Sequence, residues 1–163
     1  EGMVERGLAV ARAIHDRYGP AKRNPYNEIE CSDHYARAMA SYGGFLAACG
    51  YEHHGPKGYL AFAPRLTPEK FSAAFTAAGG WGLFRQERTG AAQREAIEVR
   101  WGSLTLRSFA FEAPESVPAE RVRAALDGRP IECRATRDGA RVLVTFAQPV
   151  ALRAPATLAI SAE

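Results

Sequence analysis

Apolar residues recur at spacings of three and four through the first part of the chain and at a spacing of two through the last. Val4, Leu8, Ala11, Ile14 and Tyr18 predict an amphipathic helix that stops at Gly19-Pro20. Residues 23–31 predict loop or extended chain, because Pro25 disfavours helix just before it. Ser32 is a good N-cap, and Asp33 complements the positive end of the helix it would open. Tyr35, Met39, Tyr42, Leu46 and Cys49 form the apolar stripe of that helix, closed by Gly50. Gly43-Gly44 in its middle costs roughly 1 kcal/mol each against Ala, which suggests the close approach of another helix.

Beyond it, residues 53–58 predict a turn and residues 60–63 a short strand. A short helix is expected over Pro68 to Ala78, starting at Thr67, and Gly79-Gly80-Trp81-Gly82 is expected to break regular structure. From Gln93 the period becomes two. Ile97, Val99 and Trp101 alternate with charged residues, and Leu104 and Leu106 continue in step. Phe109 and Phe111 slip the phase by one, the signature of a β-bulge. Asp127-Gly128 and Asp138-Gly139 fall between alternating runs and predict hairpins. The expected fold class is therefore α+β, with helices first and an antiparallel sheet or small sandwich last. The expected boundary puts a helical part at 1–90 and a β-rich extension at 91–163.

Composition narrows the function classes. With 47% hydrophobic and 24% charged residues, the chain reads as globular. The net charge of +3 comes from scattered arginines, which makes nucleic acid a poor partner. No apolar run approaches the roughly 18 residues of a membrane helix, so no transmembrane segment is expected. Three widely spaced cysteines, Cys31, Cys49 and Cys133, suggest reduced thiols and a cytoplasmic setting. The start at Glu1-Gly2-Met3 leads almost directly into helix, which suggests a piece of a longer protein.

Residues 28–37 gather Glu28, Glu30, Asp33, His34 and Arg37 at a loop-to-helix junction. Such a cluster is costly to fold around unless it faces a polar site, so it is the first place to look for a small polar ligand. In extended chain Glu28 and Glu30 share a face. Such a pair could serve a glycosidase, hold hydroxyls or an arginine, or cap the chain. Arg37 either makes an i,i+4 ion pair with Asp33 or turns its fork to a sugar hydroxyl or carboxylate. Cys31, Asp33 and His34 with His53-His54 match no standard zinc spacing, so no metal is expected. A Cys31–His34 nucleophile pair lacks a third group to orient it. Trp81 and Trp101 could stack on a sugar ring, although such residues serve more often as core or interface anchors. The glycines at 79–82 lack the Lys and Ser/Thr of a phosphate loop.

The segments NPYNEIEC at 24–31 and DHYARAMASYG at 33–43 resemble the C-terminal signature of glycoside hydrolase family 116. This is the family of bacterial β-glucosidases and the non-lysosomal glucosylceramidase. The likeness continues through YLAFAPRL at 59–66 and FSAAFTAAGGWGLFRQ at 71–86. It implies a retaining glycosidase whose catalytic domain is an (α/α) toroid of six helical hairpins. This chain would then supply the last helices and a small antiparallel β subdomain. By the same resemblance Glu28 and Arg37 would contact the sugar in the glucone subsite. Glu30, His34 and Asp33 would stand close by in support. Tyr26 stands where the family has Trp.

The family's nucleophile and acid/base lie upstream of the matching region. The reaction needs two carboxyl groups roughly 5 Å apart across the anomeric carbon, and no motif here matches either. The expectation is therefore a non-catalytic C-terminal portion of a β-glucosidase- or glucosylceramidase-like hydrolase. Its partners would be a β-glucoside or glucosyl lipid and the N-terminal part of the same catalytic domain, and it would need no cofactor. The alternative is a stand-alone carbohydrate-binding or interaction module.

Overall fold

The computed structural model describes residues 2–23 and 38–162, with the backbone alone at 38–40. The chain divides into two compact units, Glu1–Ala48 and Cys49–Glu163. In the first unit, α1 (Val4–His15) follows the three-four spacing read from the sequence. Arg12 and Asp16 pair across its last turn, Nε to Oδ1 at 2.7 Å, in an exposed i,i+4 arrangement that water screens. A single 3-10 turn follows at Pro20–Lys22. The second helix, α2 (Ala38–Cys49), ends at Gly50, whose φ of +57° terminates it. Gly43 and Gly44 face open space, so no second helix crosses there among the described residues.

The second unit is built of strands. They are β1 (Glu52–His54), β2 (Tyr59–Phe62), β3 (Lys70–Ala77), β4 (Gly80–Thr89) and β5 (Ala92–Glu112). After a 3-10 turn at Ala119–Arg121 come β6 (Val122–Leu126), β7 (Arg129–Ile131), β8 (Cys133–Asp138), β9 (Arg141–Arg153) and β10 (Ala156–Ala162). The 21-residue β5 belongs to two sheets. Its first half pairs with β4 and β10, giving the order β3-β4-β5-β10-β6-β7. Its second half pairs with β2 and β9, giving β1-β2-β5-β9-β8. Only β2 runs parallel to β5 among these pairs.

One apolar core joins the two sheets. Phe62 of β2 and Phe84 of β4 stack face to face, with centroids 3.9 Å apart and planes 3° from parallel. Leu60, Phe109, Val144 and Leu152 from one sheet and Ile97, Leu158 and Ile160 from the other are fully buried around them.

This architecture overturns the expected α+β fold with a helical toroid. Two α-helices and ten strands make up the described residues, and helix ends at Cys49 instead of continuing to about residue 90. Residues 70–77, expected as helix, form β3. Ala is a strong helix former, but Ala73 and Phe75 are buried, Phe71 and Ala77 half-buried, and the residues between them exposed. That alternation is of period two, and eight residues pair with β4. Residues 79–82 do not break the structure. They turn the β3–β4 hairpin and begin β4, with strand backbone packed tightly against Gly80 and Gly82.

The expected bulge is present, as the β5–β9 register shifts between Leu106 and Ser108. Both Asp-Gly pairs sit at hairpin connections. Asp127 and Gly128 take φ of +49° and +78°, the left-handed pair a two-residue hairpin needs. Among the described residues, no helix is long and apolar enough to cross a membrane.

Candidate functional site

Glu28, Glu30, His34 and Arg37, with Cys31 and Asp33, lie outside the described residues. Two other surfaces carry candidate chemistry, both on the β-rich unit.

The first is a tryptophan pair. Trp81 of β4 and Trp101 of β5 are direct cross-strand partners. Residues opposite each other in an antiparallel ladder share a face, with Cβ atoms about 5 Å apart. Both indoles are solvent-facing, Trp81 at 48% and Trp101 at 65% exposure. The sequence alternation had placed Trp101 in phase with Ile97 and Val99, which are buried. A second bulge explains the difference. Trp81 pairs with Trp101, the next pair is Gly82 with Val99, and Arg100 is left over. The extra residue turns Trp101 to the outer face.

Polar groups flank the pair on the same strands. Arg85 donates from Nε to Oε1 of Glu98 at 2.7 Å, and Arg100 donates to Oε2 of Glu98. Together the two guanidiniums, Arg85 foremost, hold the Glu98 carboxyl below its usual range. Beside them lies a shallow groove of about 180 Å³ edged by Glu98, Arg100, Asp127 and Thr157. Asp127 is fixed there by accepting from the Thr157 amide at 2.8 Å. Thr76 of β3 is the cross-strand neighbour of Trp81 on its other side. The surface thus offers two aromatic faces and a row of hydrogen-bonding side chains.

The second surface is a wider recess of about 460 Å³ edged by Glu52, His53, His54, Lys57, Tyr59 and Ser108. Its polar groups are largely spent on one another. Arg141 donates to both Glu52 oxygens, at 3.1 and 2.9 Å. Tyr59 donates its hydroxyl to Glu52 Oε2 at 3.2 Å and accepts from Arg141. Burial raises the Tyr59 phenol and lowers the His53 imidazole. The Nδ1 of His54 accepts from the Lys57 amide at 3.3 Å. The network joins β1, β2 and β9, and it is better suited to tying strands than to gripping a ligand. His53 and His54 end a strand instead of lying in an open turn.

A third cluster escaped the sequence reading. Gln86, Gln93 and Glu95 are all buried, at 0%, 1% and 2% exposure. A signal for them existed, because they occupy the inward phase set by Phe84 on β4 and Ile97 on β5.

No family model matches the sequence, and no curated protein matches it. Among solved structures, the chain is similar to an α-L-rhamnosidase from Dictyoglumus thermophilum, with a TM-score of 0.41 and 10% identity. That match covers 80% of this chain, which spans 14% of the length of the rhamnosidase chain.

Proposed function

We propose that the β-rich unit is a carbohydrate-binding module without catalysis of its own, and that Trp81 and Trp101 are its platform. The observation that carries this reading is the exposed cross-strand pair itself. A contiguous exposed apolar patch rimmed by polar side chains is the usual mark of an interaction surface or ligand groove. A pyranose ring presents a face of C–H groups that covers an indole, and hydroxyls around its rim that need donors and acceptors. Thr76, opposite Trp81, and Arg100, next to Trp101 in the bulge, are placed to meet them. Titration of the 163-residue chain with neutral oligosaccharides, read by tryptophan fluorescence, tests the proposal. Saturable quenching or a blue shift, with Kd on the order of millimolar or tighter, is expected. A flat response across glucose-, mannose- and rhamnose-based oligosaccharides, from protein folded by circular dichroism, overturns it.

The motif at 24–43 favours a wider reading. We propose that the chain belongs to a β-glucosidase- or glucosylceramidase-type hydrolase whose catalytic carboxylates lie elsewhere. Glu28 and Arg37 would hold the glucone of a β-glucoside or glucosyl lipid, supported by Glu30 and His34. In the intact parent protein, Glu28→Ala should reduce turnover of aryl β-glucosides strongly while the fold survives. Unchanged turnover in that variant removes the assignment.

A further inference from the structure

Among the described residues, two buried acceptor atoms in the core lack a donor. They are Oε1 of Gln86 and Oε2 of Glu95. Their residues are direct cross-strand partners on the inner faces of β4 and β5. The other side-chain nitrogens and oxygens of Gln86, Gln93 and Glu95 are engaged. Gln86 donates from Nε2 to the Pro68 carbonyl at 2.6 Å. Gln93 donates from Nε2 to Glu95 Oε1 at 2.6 Å and to the Glu112 carbonyl at 2.9 Å. Arg88 closes the cluster, donating from Nε to Gln93 Oε1 at 2.8 Å and from Nη2 to the Glu112 carbonyl at 2.6 Å.

A buried polar atom without a partner is costly, and a buried unpaired carboxylate more so. One proton relieves both. A carboxylic acid at Glu95 has an O–H to give, and Gln86 Oε1 is the acceptor that waits for one. We propose that Glu95 is held as a neutral acid that donates from Oε2 to Gln86 Oε1, making this end of the core a proton-operated lock.

The surroundings favour the neutral form. On β10 the residue opposite Glu95 is Ile160, and the one opposite Gln93 is Ala162. On β4, Arg88 is the charged group that acts on Glu95, and its donors already serve Gln93 and the Glu112 carbonyl. The Glu112 carboxylate is turned to Arg65 at the surface, at 2.8 and 3.1 Å. Burial outweighs Arg88 and Gln93, and raises the Glu95 carboxyl well above the ordinary glutamate value of 4.5.

The direction of the pH effect follows from linkage. An unfolded chain releases this proton near the ordinary value, and the folded chain keeps it to higher pH. The stabilisation is complete in acid and is lost as pH rises through the window between the two. Within that window the folded-to-unfolded ratio should fall about tenfold per pH unit from this one group. Loss of the lock would free Gln86 and, through it, the Pro68 carbonyl that opens into β3.

Glu95→Gln tests this, because an amide N–H can take the place of the acid O–H at Gln86. Urea unfolding of the full chain, measured from pH 4 to pH 9, should show a fall for wild type that E95Q lacks. At pH 8 E95Q should be the more stable protein. The same slope in both proteins, or an E95Q less stable than wild type at pH 8, overturns the proposal. A second readout needs only wild type. With ¹³C-labelled glutamate, one side-chain carboxyl should titrate at distinctly higher pH than the others, and a spectrum in which all titrate together is equally fatal.

Discussion

Trp101 stands opposite Trp81 because Arg100, the residue before it, has no partner on β4. One unpaired residue therefore decides whether an indole enters the core or faces water. The bulge lies beside glycines that let the two strands approach closely. A Cβ on Gly82 would lie 1.9 Å from the Glu98 carbonyl oxygen, and one on Gly102 would lie 2.1 Å from that of Gly79.

Trp81→Ala and Trp101→Ala should separate binding from folding. Trp101 lies mostly in solvent and Trp81 about half, and neither is part of the buried core, so their loss should change stability by no more than about 1 kcal/mol. Each should weaken oligosaccharide affinity about tenfold, equivalent to about 1.4 kcal/mol. Fluorescence of the remaining tryptophan supplies the readout. An unfolded W81A or W101A would show the indoles to be structural, contrary to the assignment.

Gly82→Ala and Gly102→Ala should be far more harmful than their chemistry suggests. Each methyl meets backbone that cannot turn away, and overpacking of this kind costs roughly 1–3 kcal/mol. Gly102 adds a φ of +73°, which carries roughly a further 1–3 kcal/mol of strain for a residue with a side chain. Urea midpoints rank them, with Gly55→Ala as the control, since its φ is not positive and its Cβ would meet nothing closer than 3.6 Å. Equal midpoints for all three variants would show that the strands can part without penalty.

The Phe62–Phe84 stack should be the most sensitive point of the core. Both rings are 0% exposed, and the stack joins a strand of one sheet to a strand of the other. Phe84 also touches Phe71 and Phe109, with centroids at 6.3 and 6.1 Å. Phe84→Ala should cost about 3–5 kcal/mol and Phe84→Leu distinctly less, because Leu refills most of the space. Thermal unfolding of the two variants measures the difference. A cost below 1 kcal/mol for Phe84→Ala would mean that the sheets repack around the gap.

The strands were legible wherever alternation was clean and a turn marked the end. Ile97 and Val99, Val142 and Val144, and Leu158 and Ile160 all point inward as their spacing predicts. The phase slip at Phe109 was legible as a bulge because both sides of it are apolar. The bulge at Arg100 was hidden, because Arg100 and Trp101 are both acceptable on an outer face and no apolar residue marks the slip. Residues 70–77 misled for the opposite reason. Phe and Ala at positions 71, 73, 75 and 77 suit a strand, but the intervening Ala74 also completes a helical spacing. The pairing of Trp81 with Trp101, and of Gln86 with Glu95, depends on register, which local spacing does not carry. The cluster from Glu28 to Arg37 was the clearest functional signal in the sequence, and it lies outside the described residues.

Arg137 offers a last prediction, in which geometry and charge can be told apart. From β8 its guanidinium reaches four backbone carbonyls. Nη1 donates to Ala113 and Gly139, both at 3.1 Å, and Nη2 to Pro114 at 3.2 Å and Val117 at 2.5 Å. The segment so held leads from β5 toward β6 and buries Ala113 and Val117. Its carbonyls have left the β-ladder, and each buried one needs a donor. Lys would keep the charge but lose the planar fork that reaches two directions at once. Arg137→Lys should therefore destabilise nearly as much as Arg137→Met, by about 1–3 kcal/mol for the carbonyls left unmet. Urea unfolding gives the magnitude, and faster amide exchange at Val117 gives the place. If Arg137→Lys keeps wild-type stability and slow exchange, then positive charge near these carbonyls is sufficient. The fork geometry would then have no part in holding the segment.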